Sequence, residues 1–236
     1  MSLFGLTKSN KNNPHSLGAA GSVGIQVIRA TDGPINLNEL IEEHAMPHSG
    51  LDAEVRRYRT MNWENVQRGW KKAKVAYDNK IPTFFGTVWG TTTVDGKTTD
   101  LGIISMRVVT DAGVAAIVNA FLNTVELENF KYHGIGIGTA NESAADTALG
   151  SELTTEYATN NTRPTGTTAQ GASSNVYRTV ATNTLDGSAA ITEHGIFNQA
   201  ANSGGTLLDR SKFAAINLNS GDSIQTTYEL TFNAGG

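Results

Sequence analysis

From Lys131 to Phe232 the chain repeats one pattern: short runs rich in Val, Ile, Thr, Tyr and Phe, each closed by Gly, Asn, Asp or Ser. Such runs between frequent turn formers restrict a chain to antiparallel strands joined by tight connections. The segment opens Lys131-Tyr-His-Gly-Ile-Gly-Ile-Gly-Thr139 and closes Asp222-Ser-Ile-Gln-Thr-Thr-Tyr-Glu-Leu-Thr-Phe232. Between these ends the expected strands are Leu153 to Tyr157, Val176 to Leu185, Ala190 to Asn198 and Thr206 to Phe213, with a polar loop from Asn160 to Ser174. Asp186-Gly187, lying between two β-rich runs, is the strongest hairpin signal. The chain holds 25 glycines and 5 prolines, a balance that favours many turns over rigid linkers.

Upstream the pattern changes. Residues 1–34 show no periodicity and read as an N-terminal extended arm. Its apolar tip, Leu3, Phe4 and Leu6, fits either a segment that docks on a neighbouring subunit or a loose terminus. Residues 35–130 read as an α+β region. A short helix is expected from Ile35 to Glu43, before Pro47 and Gly50 break the chain. A longer one is expected near 62–79, capped by Asn62, with Trp63, Val66, Trp70, Ala73 and Tyr77 at helical spacing. Its opposite face carries Arg68, Lys71, Lys72 and Lys74. A hairpin over 84–109 turns at Asp95-Gly96. A second helix, near 111–123, starts at Thr110 with Asp111 in its first turn, where a carboxylate suits the helix dipole. Val114, Ile117, Val118, Phe121 and Leu122 form its apolar stripe. The expected fold is therefore mainly β: an antiparallel β-sandwich over 131–236, with the arm and about two α-helices before it.

Bulk chemistry narrows the function. The formal net charge of −4 argues against sequence-specific nucleic-acid binding, which needs a basic surface to displace counterions. With no cysteine in the chain, disulfides, thiolate metal sites and cysteine nucleophiles are all excluded. No apolar stretch is long enough to be a membrane-spanning helix, and Met1 to Lys8 lacks the charged leader and apolar core of a signal peptide, so synthesis in the cytosol is expected.

Each chemical motif has a simpler structural reading. Gly134-Ile-Gly-Ile-Gly138 lacks the Lys-Ser/Thr of a phosphate loop and the third spaced glycine of a dinucleotide fingerprint. Alternating Gly and Ile makes a close-packed strand with one bare face. His44 and His48, beside Glu42 and Glu43, have the spacing of metal ligands on a helix, but Pro47 lies between them and no third ligand is evident. His133 and His194 fall within strands as satisfied imidazoles. Glu126 and Glu128 share a strand face and read as a solvated acidic edge, with a cation site or a catalytic pair as the alternative. No catalytic residue, metal ligand, cofactor or small-molecule substrate is expected. The basic helix face allows three uses: a solvated surface, binding of nucleic acid or an acidic protein surface, or subunit docking with Trp63 and Trp70 as anchors and Lys71 and Lys74 at the rim.

Several runs together resemble a β module of tailed-bacteriophage virion proteins. These are the glycine-rich strand at 134–138, Asp146-Thr-Ala-Leu-Gly-Ser-Glu152, Thr192-Glu-His-Gly-Ile-Phe197, Gly204-Gly-Thr-Leu-Leu-Asp-Arg210 and Gly221-Asp-Ser223. The resemblance covers roughly the last hundred residues. It departs at Ile137, where the family commonly has a small residue, and at His194, often Ala. It implies a β-sandwich that serves as a structural protein of the virion: a capsid decoration or cement protein, a homo-oligomer whose partners are its own copies and the major capsid protein. A tail, neck, fibre or baseplate protein with a host-binding role is the alternative, and a tail-associated hydrolase a more distant one.

Overall fold

In the computed structural model, residues 41–42, 44–79, 81, 83–158 and 160–233 are described. The arm with Leu3, Phe4 and Leu6, and most of the helix expected from Ile35, lie outside them. Among the described residues the order is α1 (Ala53–Asp78), β1 (Thr83–Val94), β2 (Lys97–Val108), α2 (Asp111–Phe121), a 3-10 turn (Leu127–Asn129), then β3 (Tyr132–Gly136), β4 (Thr167–Gln170), β5 (Val176–Thr184), β6 (Ala189–Phe197), β7 (Leu207–Leu218) and β8 (Ser223–Asn233). They make two antiparallel sheets, one ordered β2-β1-β8-β5-β4 and one ordered β3-β6-β7. The expected class is the observed one.

The sheets share a single core. Val88 and Ile104 from β1 and β2 join Ile224, Tyr228 and Leu230 from β8 on one side, and Ile135, Ile191, Ile196, Leu208 and Phe213 from β3, β6 and β7 on the other. The outer face of the first sheet is covered too: Phe85, Ile103, Met106 and Val176 pack with Val66 and Ala73 of α1. β1 and β2 are thus buried on both faces, which is why Phe84 to Val88 and Leu101 to Val108 read as near-continuous apolar runs rather than alternating ones. β1 pairs with β8 along its length, from Thr83 opposite Asn233 to Thr93 opposite Ser223. The core therefore does not divide at 130/131: the upstream hairpin supplies two strands to the sheet that β8 completes.

Turn chemistry separates two similar dipeptides. Asp95 and Gly96 have φ of 49° and 74°, as a tight hairpin between twisted strands requires, and β1 and β2 pair up to Val94 opposite Lys97. Asp186-Gly187 forms no hairpin. β5 pairs with β4 and β8, whereas β6 pairs with β3 and β7, so this dipeptide carries the chain from one sheet to the other. The stretch from Leu153 to Tyr157 makes only isolated bridges, Gly136 with Glu152 and Tyr157 with Leu185, and the loop expected over 160–174 contains β4.

The helix expected near 62–79 starts earlier. Asp52 caps it by accepting from Glu54 N at 2.9 Å. Asn62, expected as the cap, is buried mid-helix and has a tertiary role: its Oδ1 accepts from Ala214 N at 2.6 Å, while Tyr58 Oη donates to Ala214 O at 3.0 Å. β7 is an edge strand, and α1 satisfies its backbone there. Gly69 is the point of closest approach, where a Cβ would collide with Met106 O on β2. The 62–79 reading missed the first turns because Val55 and Tyr58 extend the buried stripe past Asn62.

Candidate functional site

Three features merit weighing as a site: a buried histidine cluster, a buried carboxylate hub, and the outward faces of the two helices.

The histidines sit between the sheets. His133 Nδ1 lies 3.0 Å from His194 Nε2 and 2.9 Å from Thr226 Oγ1, and His133 Nε2 lies 3.1 Å from Thr179 Oγ1. Because His133 belongs to β3 while Thr179 and Thr226 belong to β5 and β8, the imidazole bridges the two sheets. His133 is satisfied, as expected; His194 is only half so, since its Nδ1 has no hydrogen-bond partner. Burial, with His194 adding to it, holds His133 well below the ordinary histidine value, and burial pulls His194 down to about 3. Nearby Asp209, also fully buried, is pushed up to about 7 by desolvation, which its bond to Ser211 Oγ at 3.1 Å and the charge of Arg107 only partly offset. Both imidazoles and Asp209 are shut inside the sandwich; His133 fastens sheet to sheet, whereas Asp209 bonds Ser211 on its own strand and its Oδ2 has no hydrogen-bond partner.

The carboxylate hub gathers four of the five motifs on which the phage resemblance rests, all but Gly221-Asp-Ser223. Glu193 is fully buried on β6. Its Oε1 accepts from Gly138 N at 3.0 Å and Ser151 N at 2.7 Å, and its Oε2 from Gly150 N at 2.9 Å. Arg210 Nε and Nη2 reach Oε2 at 2.9 and 2.7 Å, while Nη1 pairs with Asp146 at 2.8 Å. Burial alone would lower the Arg210 pKa; hydrogen bonds to Asp146 and Glu193 raise it instead. The bare faces of Gly136 and Gly138 are explained here, because a Cβ on either would press into the Glu193 carboxylate. Beside the hub, Arg163 pairs with Glu152 through Nε at 2.5 Å and Nη2 at 2.7 Å, and its guanidinium stacks 3.4 Å from the Phe197 ring centroid. Four of the five motifs, together with Arg163, thus converge on three ion pairs, Glu193–Arg210, Asp146–Arg210 and Glu152–Arg163, that pin the 138–166 segment to the second sheet; Asp222 lies elsewhere, accepting from Asn219 N and Asp95 N. None of the glycine-rich strand is free to cradle a phosphate.

The outward faces differ from expectation. α2 forms where expected: Thr110 Oγ1 accepts from Gly113 N at 3.0 Å, and the helix ends at Phe121 with Asn123 at φ 56°. Yet its buried side is Gly113, Ala116 and Ile117. Val114, Val118, Phe121 and Leu122 face outward, with Val118 55%, Phe121 87% and Leu122 68% exposed. Two stripes compete on this helix, offset by one residue and sharing Ile117. The smaller one wins the inward position because α2 lies directly on β7, where a Cβ at Gly113 would collide with Leu208 O. Glu126 and Glu128, expected on a strand face, are exposed and flank Leu127 at the 3-10 turn.

On α1 the expected anchors lie lower than the reading placed them. Trp63 and Trp70 are half-buried against the cluster of Phe85, Ile103 and Met106, and Trp70 Nε1 is buried without a partner. Lys71 is exposed; Lys74 pairs with Asp78 at 2.6 Å. The exposed apolar residues of α1 are Met61 and Val75, at 52% and 61%. Among the described residues no group of three or more His, Cys, Asp or Glu side chains is placed to hold a metal, and no helix is long and apolar enough to cross a membrane.

No protein-family model matches the sequence, and no curated protein matches it.

Proposed function

We propose that this chain is a structural protein of a tailed-phage virion, a capsid decoration or cement protein that acts through contacts with its own copies and with the major capsid protein. The observation that carries the reading is the apolar stripe of α2, held rigidly outward on a helix capped at Thr110. A soluble chain that exposes a Phe and three aliphatic side chains in one stripe has a surface built for covering. The sandwich fold agrees with the family expectation, and four of the resemblance motifs meet at Glu193 and Glu152. The titratable groups with the largest shifts lie sealed in the core, where they serve rigidity.

The mechanism is mass action. A protein that binds only the assembled shell stabilises that state in proportion to its occupancy, and the area it covers is area the shell alone leaves to water. The test is a heat challenge of particles made without the chain. Genome release at a lower temperature, reversed by adding the purified chain, is the expected result; unchanged release with and without the chain overturns the cement function.

A further inference from the structure

We propose that the α2 stripe is one half of a contact between copies of this chain, and that the other half is the outward face of α1. The inference deepens the assembly reading and rests on it for its purpose, but its test is separate.

Both halves carry exposed apolar side chains, four on the α2 stripe and two on α1. Val114, Val118, Phe121 and Leu122 stand at i, i+4, i+7 and i+8, one continuous strip along α2. Met61 and Val75 stand out from α1 on the side away from the sheets. They are complementary in charge. From Asp111 to Phe130 the sequence carries three acids, Asp111, Glu126 and Glu128, and no base. From Ala53 to Asp78 it carries seven bases and three acids, and Arg57, Lys71 and Lys72 are exposed. Two α2 stripes set face to face would bring acid against acid, which electrostatic complementarity disfavours. A stripe set on the α1 face of a second copy brings acid to base around an apolar centre, the usual anatomy of a specific interface. The two surfaces are distinct, so each copy offers one donor and one acceptor half. Four apolar side chains cover less than the roughly 800 Å² that each partner of a standard interface buries, so the basic and acidic rims belong to the contact, and it weakens with salt.

The experiment is sedimentation velocity on the full chain, with two variants. Val118→Asp with Phe121→Asp damages only the stripe; Lys71→Glu with Lys72→Glu damages only the α1 face. Every substituted side chain is exposed, so circular dichroism should show both variants folded as the parent. The parent is expected to associate reversibly below about 100 μM, and each variant to associate at least about tenfold more weakly. Mixing the two variants should restore association, because one still has an intact face and the other an intact stripe. A parent that stays monomeric overturns the proposal. So does a stripe variant that associates like the parent, or a mixture that behaves as the sum of its parts. Self-association without any effect on particles would remove the virion function and leave this contact standing; particle binding by a chain that never self-associates would do the reverse.

Discussion

At the scale of single residues, the fold depends on one buried carboxylate whose two oxygens are both answered. Glu193 accepts from three backbone N–H groups and a guanidinium. Removing it leaves buried Arg210 with Asp146 as its one remaining acid and frees the 138–151 loop, so Glu193→Ala should cost about 3–5 kcal/mol in urea unfolding, a loss that an exposed acid such as Glu126 would not produce when replaced. The histidine pair sets the pH response. A histidine held neutral by burial binds its proton in the unfolded chain at the ordinary value, near 6.5, and in the folded chain only far below. His133 and His194 therefore each lower stability as pH falls below that value. Asp209 works oppositely: raised from 3.8 to about 7, it favours the fold below its unfolded value and loses that contribution as pH rises towards 7. Between the unfolded carboxylate and imidazole values the two histidines, which bind protons more readily in the unfolded chain, outweigh the one carboxyl that binds its proton more readily in the fold, so together these groups raise stability as pH rises. His194→Leu should remove one of the two and flatten that slope relative to the parent, as urea midpoints across the range would show. The sequence made Glu193 visible only as part of a resemblance. Its partners lie at 138, 150, 151 and 210, and no local spacing joins those positions.

At the scale of elements, local rules found most strands and both helices, and failed where a tertiary neighbour decided. The Asp95-Gly96 and Asp186-Gly187 dipeptides look alike, but only the first has positive φ at both residues. Gly96→Ala should therefore cost about 1 kcal/mol, while Gly187→Ala should stay within about 0.5 kcal/mol, and thermal unfolding of the two variants separates them. On α2, amphipathic periodicity chose the bulkier stripe as the core. Contact with the β7 backbone at Leu208 selected Gly113 and Ala116 instead, since only small residues allow that approach. Ile117→Asp should then unfold the protein or cost several kcal/mol (about 3 or more), whereas Val118→Asp, one position on, should leave the unfolding temperature almost unchanged. The α1 tryptophans show the same limit in reverse. Helical spacing identified Trp63 and Trp70 as apolar, and packing on the outer face of the first sheet took up much of the surface a partner would need.

At the scale of the whole molecule, the sequence pattern shows a β module beginning at Lys131, yet the strand that completes it lies next to β1. β8 sits between β1 and β5, so a fragment of residues 131–236 would leave β8 with an unpaired edge and the core without Val88 and Ile104. That fragment should fail to give a cooperative transition by circular dichroism, and the full chain should unfold in one step. What the sequence did convey was class: many short strands, few charges and no cysteine describe a rigid two-sheet body, and a body of this kind with an apolar helix stripe on its outside is suited to act through its neighbours. On the virion proposal, the most direct test is a reconstruction of particles of a tailed phage whose genome carries the coding sequence. Ordered copies on the outer shell lattice, touching the major capsid protein, are the result this account predicts; purified particles that carry no copy of the chain at all would contradict it.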